Sequence, residues 1–124
     1  MELMITVIAI GVIASLAIPS YRRTVERARS NEAVTNLNII YMAEKIYKID
    51  NGGLYWAGTT CNGGGSPLVC TTINTNLSVD ITSQYYNLTL AGGGAGFSAS
   101  AARAGGSKTY AVDQNGVWTY GGSF

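Results

Sequence analysis

The chain has 124 residues, one domain's worth, with 47% hydrophobic residues and only 12% charged ones, about half the usual charged share. Eight Lys and Arg against seven Asp and Glu leave a net charge of +1, which gives no basis for a specific nucleic-acid partner. Histidine is absent, which removes Ser-His-Asp and Cys-His catalysis together with the commonest zinc ligand, so no enzyme, metal site or cofactor is expected.

Residues 3–21 carry no charge, a run nearly long enough to cross a hydrocarbon layer of about 30 Å as a helix. A cleavable secretory signal would place basic residues ahead of the apolar run, whereas the only early charge is the acidic Glu2. A carboxylate in such a segment costs about 2.5–3.5 kcal/mol near the bilayer centre, so Glu2 either sits at headgroup level or finds a partner in an assembly. Gly11 weakens a helix interior by about 1 kcal/mol, and Pro19 removes one helical hydrogen bond. Residues 11–19 are therefore poised to unwind, or at least to kink. Arg22, Arg23, Arg27 and Arg29 follow, and the positive-inside rule alone would leave the rest of the chain in the cytoplasm. The cysteines point elsewhere. Cys61 and Cys70 bracket a polar, glycine-rich loop that cannot anchor itself by burial, so a disulfide and an oxidising compartment are expected, against the alternative of two free thiols.

No Pro or Gly interrupts residues 22–50, which predicts one helix of about 50 residues and about 75 Å. On it Ile39, Met42, Ile46 and Ile49 share one arc, while Ala33, Leu37, Ile40, Tyr41 and Tyr47 share a broadly opposite one. Two apolar arcs fit either two partners, a sheet of the same subunit and the helices of neighbours, or a single wide buried face in a monomer. Glu26 is expected to pair locally with Arg22 or Arg23. Residues 51–83 lack periodicity and predict a long loop. Strands are predicted at 84–90, 96–102, 108–113 and 117–120, an antiparallel sheet in which Tyr86, Leu88 and Leu90 face the helix. Asn115-Gly116 marks a tight hairpin with positive φ angles; Asp113-x-Asn115-Gly116 lacks the distal glutamate of a calcium loop.

The stretch Glu2, an apolar run containing Gly11, then Leu16-Ala17-Ile18-Pro19-Ser20-Tyr21 resembles the N-terminal signature of the type IV pilin superfamily, with Glu2, Gly11, Pro19 and Tyr21 at the family's spacing. The resemblance implies an α+β pilin-like fold, one long N-terminal α-helix on a small antiparallel sheet of about four strands. Residues 1–21 would be the transmembrane and filament-core half of the helix, 22–50 its amphipathic half, 51–83 the disulfide-bearing loop and 84–124 the sheet and tail. It further implies a leader and three mature residues ahead of Met1, processing and methylation by a prepilin peptidase, residence in the bacterial inner membrane with the globular part outside, and assembly by pilus machinery into an extracellular homopolymeric filament for adhesion, motility or DNA uptake. The alternatives are a pseudopilin of a type II secretion system and a membrane-anchored binding module.

Overall fold

The computed structural model describes residues 1–56, 58–63 and 68–123, so residues 64–67 of the loop between the cysteines lie outside the described residues. The chain divides into two units, Met1–Ser30 and Asn31–Phe124. The architecture is α+β: a 49-residue helix α1 (Glu2–Asp50) is followed by antiparallel strands.

The first unit consists of the leading part of α1. Its large apolar side chains, among them Leu3, Ile5, Ile8, Ile13 and Leu16, are exposed. The helix is long and apolar enough to cross a membrane by length and composition. Two of its hydroxyls fold back onto the preceding turn, Thr6 Oγ1 donating to the Leu3 carbonyl at 2.9 Å and Ser15 Oγ to the Val12 carbonyl at 2.8 Å, which satisfies these donors within the helix itself. Further along, Glu26 pairs with Arg29 at 2.7 Å, one turn downstream. That pairing differs from the expectation of Arg22 or Arg23.

In the second unit, the remainder of α1 buries Ala33, Leu37, Ile40 and Ala43 in one core with the sheet. Five strands run in the order β1-β4-β5-β6-β7, all antiparallel: β1 (Thr60–Cys61), β4 (Tyr86–Gly93), β5 (Gly96–Arg103), β6 (Thr109–Asp113) and β7 (Trp118–Gly121). A separate ribbon pairs β2 (Leu68–Val69) with β3 (Thr82–Ser83). The period-two expectation for the core face holds, since Tyr86, Leu88 and Leu90 are buried on β4, Phe97, Ala99 and Ala101 on β5, and Tyr110 and Val112 on β6. Register sets large against small across the face, with Leu88 beside Ala101 and Leu90 beside Ala99, so the sheet's middle strand leaves room for the helix.

Besides the β2–β3 ribbon, two features of residues 51–83 depart from the long loop that their composition suggests. Thr60 and Cys61 pair with Thr89 and Leu88 and so add a fifth strand to the expected four; two residues are too few for any periodicity to register. Thr71–Leu77 forms a short helix, α2, from residues of modest helix propensity. Tertiary contacts decide the matter: Ile73 and Leu77, four apart, are buried on one face, and the Asn74 side chain clamps the returning chain by accepting from the Ile81 amide at 2.8 Å and donating to the Ile81 carbonyl at 3.0 Å.

Cys61 on β1 and Cys70 at the start of α2 form a disulfide with Cα atoms 5.5 Å apart, so the crosslink ties the sheet's edge to α2. In the 113–117 hairpin only Gly116 takes a positive φ, 78°, rather than Asn115 and Gly116 together. The Gly116 amide donates to the Asp113 carbonyl at 3.0 Å, and the Asp113 carboxylate accepts from the Asn115 and Val117 amides at 2.9 Å each, a four-residue turn closed by a left-handed glycine. The backbone amides, the Val117 amide foremost, hold the Asp113 carboxyl below the ordinary carboxylate range.

Replacing both Cys61 and Cys70 by Ser is expected to lower unfolding stability by about 2–3 kcal/mol, as the loss of a crosslink over a nine-residue separation implies. Chemical denaturation of the detergent-solubilised chain, followed by tryptophan fluorescence, measures it.

Candidate functional site

The chemistry-bearing positions singled out in the sequence fall into three places. Glu2 occupies the first turn of α1 and is exposed; a carboxylate there also complements the positive end of the helix dipole. Gly11 lies two turns further on, with nothing within 4 Å of where a Cβ would be, and therefore marks a shallow spot on the helix surface. Pro19 is inside the helix, which continues through it. Because proline has no N–H, the Ser15 carbonyl four residues earlier is deprived of its helical donor, and the Ser15 hydroxyl bonds back within the same turn. Residues 11–19, expected to unwind or kink, are helical in this structure.

The other arc of α1 forms a second surface, within the second unit. Met42, Ile46 and Ile49 are 63%, 61% and 80% exposed, against 0% for Leu37 on the buried arc. Ile39, Met42 and Ile46, together with Leu77 at the end of α2 and Ser78 and Val79 just beyond it, line an open groove of about 350 Å³ that contains no charged side chain. The left-handed Ser78 (φ 54°) turns the chain at the helix end and carries Val79 to that groove, and the Val79 amide closes back on the Asn74 carbonyl at 3.1 Å. The crosslink at Cys70 and the Asn74 clamp hold this wall in place.

Among the described residues no three of His, Cys, Asp and Glu cluster as metal ligands. The surfaces on offer are apolar and suited to packing.

No family model matches the chain, and no solved structure matches it. The chain is 44% identical over 46 residues to the type IV major pilin protein PilA of Myxococcus xanthus (strain DK1622), a match that takes in 37% of this chain and 21% of the relative. The matched part thus spans about a fifth of the relative's length. Together with the long apolar N-terminal helix, this bears out the resemblance read from Glu2 to Tyr21.

Over those 46 residues the chain is similar to a type IV major pilin.

The pilin-like helix carries polar anchors that its apolar pattern concealed. Asn36 and Glu44 are buried on the same arc as Leu37 and Ile40. Asn36 Nδ2 donates to the Thr82 carbonyl at 3.1 Å, Glu32 Oε1 accepts from the Gln84 amide at 2.7 Å, Glu44 Oε2 accepts from the Trp56 amide at 3.0 Å, and Lys45 Nζ donates to the Gln114 carbonyl at 2.7 Å. The bonds to Trp56, Gln84 and Gln114 take up main-chain groups from irregular backbone, and the bond to Thr82 reaches the short strand β3. The available sequence signal was positional. Glu44 is seven residues after Leu37 and four after Ile40, which places it at the centre of the buried arc whatever its polarity.

Burial raises the Glu44 carboxyl above the ordinary carboxylate pKa, with the Trp56 amide pulling the other way, and its second oxygen, Oε1, has no hydrogen-bond partner among the described residues. The folded pKa exceeds the unfolded one, so the folded state binds more protons between the two values. Stability is therefore greatest below the unfolded pKa and falls as pH rises towards the folded value. Replacing Glu44 by Gln keeps an acceptor for the Trp56 amide and removes the charge. Denaturation midpoints measured from acid to neutral pH are expected to lose this downward slope in the variant, with higher stability than the parent at neutral pH.

Proposed function

We propose that the chain is a structural subunit, a pilin, that polymerises through its N-terminal hydrophobic helix into a type IV pilus filament on a bacterial surface. The observation that carries this reading is the uncharged and wholly exposed run of α1 from residue 3 to residue 21, headed by a carboxylate. Such a surface has two stable environments, lipid and a bundle of like helices, and a subunit that exchanges one for the other would be held in the inner membrane first and in an extracellular filament afterwards. At about 25 cal/mol per Å² of apolar surface kept from water, the run disfavours any state in which it meets solvent. The likeness to a type IV major pilin supports the same conclusion.

Within this reading Glu2 is the assembly residue, satisfied by a positive or hydrogen-bonding group of a neighbouring subunit when it enters an apolar filament core. Gly11 and Pro19 bound a segment able to give up helical hydrogen bonds and take replacements from packed neighbours, which adds extensibility. The exposed arc Ile39, Met42, Ile46 and Ile49 meets the helices of other subunits while the buried arc keeps its own sheet. A prepilin peptidase and the pilus assembly machinery are the expected partners of such a subunit, the role is structural rather than enzymatic, and adhesion, motility or DNA uptake would be the service of the filament.

Glu2→Ala is expected to leave the protein folded and membrane-inserted but to cut its yield in the sheared filament fraction by about tenfold or more, the scale of an unpaired carboxylate's interaction in an apolar phase. Immunoblots of sheared and membrane fractions from the same cells measure both quantities; undiminished filaments contradict the role. Met42→Lys, at a side chain 63% exposed, is expected to preserve the thermal melt of the globular part while reducing the same yield, because it places an ammonium in an apolar contact.

A further inference from the structure

Three Asn-Gly pairs occur in the chain, Asn51-Gly52, Asn62-Gly63 and Asn115-Gly116, and the structure treats them differently. The chemistry they share is intramolecular. The amide nitrogen of the glycine attacks Cγ of the preceding asparagine side chain, a C–N bond forms, and the side-chain nitrogen leaves as ammonia with the proton that the amide loses. The resulting five-membered succinimide is opened by water at either carbonyl, giving aspartate or isoaspartate. Glycine favours the attack because no Cβ obstructs it and the backbone can swing. What remains to decide the rate is whether the fold leaves the glycine amide free and the segment able to move.

Two pairs are restrained. The Gly116 amide donates to the Asp113 carbonyl at 3.0 Å, the Asn115 amide to the Asp113 carboxylate at 2.9 Å, and the Tyr41 hydroxyl lies 3.0 Å from where a Gly116 Cβ would be. Gly63 is buried two residues after a crosslinked cysteine, with the Tyr86 carbonyl 2.6 Å from where its Cβ would be. The third pair is open. Asn51, Gly52 and Gly53 are exposed, nothing lies within 4 Å of the Cβ positions of either glycine, and the Gly52 amide makes no hydrogen bond among the described residues. The local restraints are helix-end bonds: the Asn51 amide and its Nδ2 to the Tyr47 carbonyl at 2.9 and 3.0 Å, and the Gly53 amide to the Lys48 carbonyl at 2.8 Å, bonds of the kind that fray first.

We infer that Asn51 is a modification site, deamidated spontaneously by the Gly52 amide. The product has a structural consequence. The side-chain donor to the Tyr47 carbonyl is replaced by a carboxylate, which faces that carbonyl at the negative end of α1 and stands next to Asp50. The isoaspartyl form also inserts a methylene into the main chain at the turn leading to Tyr55, whose amide bonds the Gly94 carbonyl at 2.8 Å. Ageing of the chain therefore loosens the helix end from which the loop departs.

The test is incubation of the full folded chain in detergent micelles at mildly alkaline pH, in ordinary and in heavy-oxygen water, followed by proteolysis and fragment mass spectrometry. A gain of about 1 Da in ordinary water and about 3 Da in heavy-oxygen water, localised to Asn51 as mixed aspartyl and isoaspartyl products, is expected. Asn51 should convert at least about tenfold faster than Asn62 or Asn115 in the folded chain, and the three should converge in denaturant, where local structure no longer protects any of them. Conversion at Asn115 or Asn62 as fast as at Asn51 in the folded chain overturns the inference. So does an unchanged Asn51 over a period in which the denatured chain converts there. Gly52→Ala is expected to slow the reaction at Asn51, and an unaltered rate in that variant contradicts attack by this amide.

Discussion

The contact between one arc of α1 and one face of the sheet is the constraint on which the second unit rests. Ala33, Leu37, Ile40 and Ala43 share a core with Tyr86, Leu88, Leu90, Phe97, Ala99, Ala101, Tyr110 and Val112, and the aromatic contacts Tyr55 to Phe97 (4.9 Å between centroids) and Tyr86 to Tyr110 (5.9 Å) fill it at either side. A sheet this small has little other apolar cover, so its inner face and the helix arc depend on one another. The polar anchors at Glu32, Asn36, Glu44 and Lys45 extend the same contact to main-chain groups in the loop and the last hairpin.

What the contact leaves uncovered is as informative as what it buries. A helix whose one arc is spent on its own sheet still presents Ile39, Met42, Ile46 and Ile49 to the outside, and α2, held by the disulfide, widens that strip into a groove with Val79. Over residues 1–24 the whole circumference of the helix is exposed. Lipid alone could cover the first surface, whereas a polymer of parallel or staggered subunits would cover both. The likeness to a type IV major pilin and the physical requirement of cover for apolar surface lead to the same proposal.

Much of this was legible in the residues because the elements concerned are long and strongly patterned. The helix follows from 49 residues with a single internal proline, and β4, β5, β6 and β7 follow from period-two alternation between glycine-rich turns. Both arcs of α1 also emerge with the right residues on each. What the sequence concealed depends on tertiary contact. β1 and α2 exist because Cys61 and Cys70 are tied and because Ile73 and Leu77 find the core; neither has a local pattern long enough to announce itself. Asn36 and Glu44, polar residues outside both apolar arcs read from the sequence, are buried by their position on the helix. The hairpin at Asp113 takes one left-handed residue where the dipeptide suggested two, because the carboxylate of Asp113 already satisfies the Asn115 and Val117 amides.

The central claim is a division of labour on α1, one arc for the chain's own sheet and the other for neighbouring subunits. Electron microscopy of material sheared from cells expressing the native gene product, with the subunit identified by peptide mass spectrometry and the filament reconstructed helically, tests it most directly. The account predicts filaments built of this chain, with Ile39, Met42 and Ile46 covered by helices of adjacent subunits and Leu37 and Ile40 still on their own sheet. Filaments in which that outer arc faces solvent, or a chain that stays in the membrane fraction while no filament contains it, would contradict it.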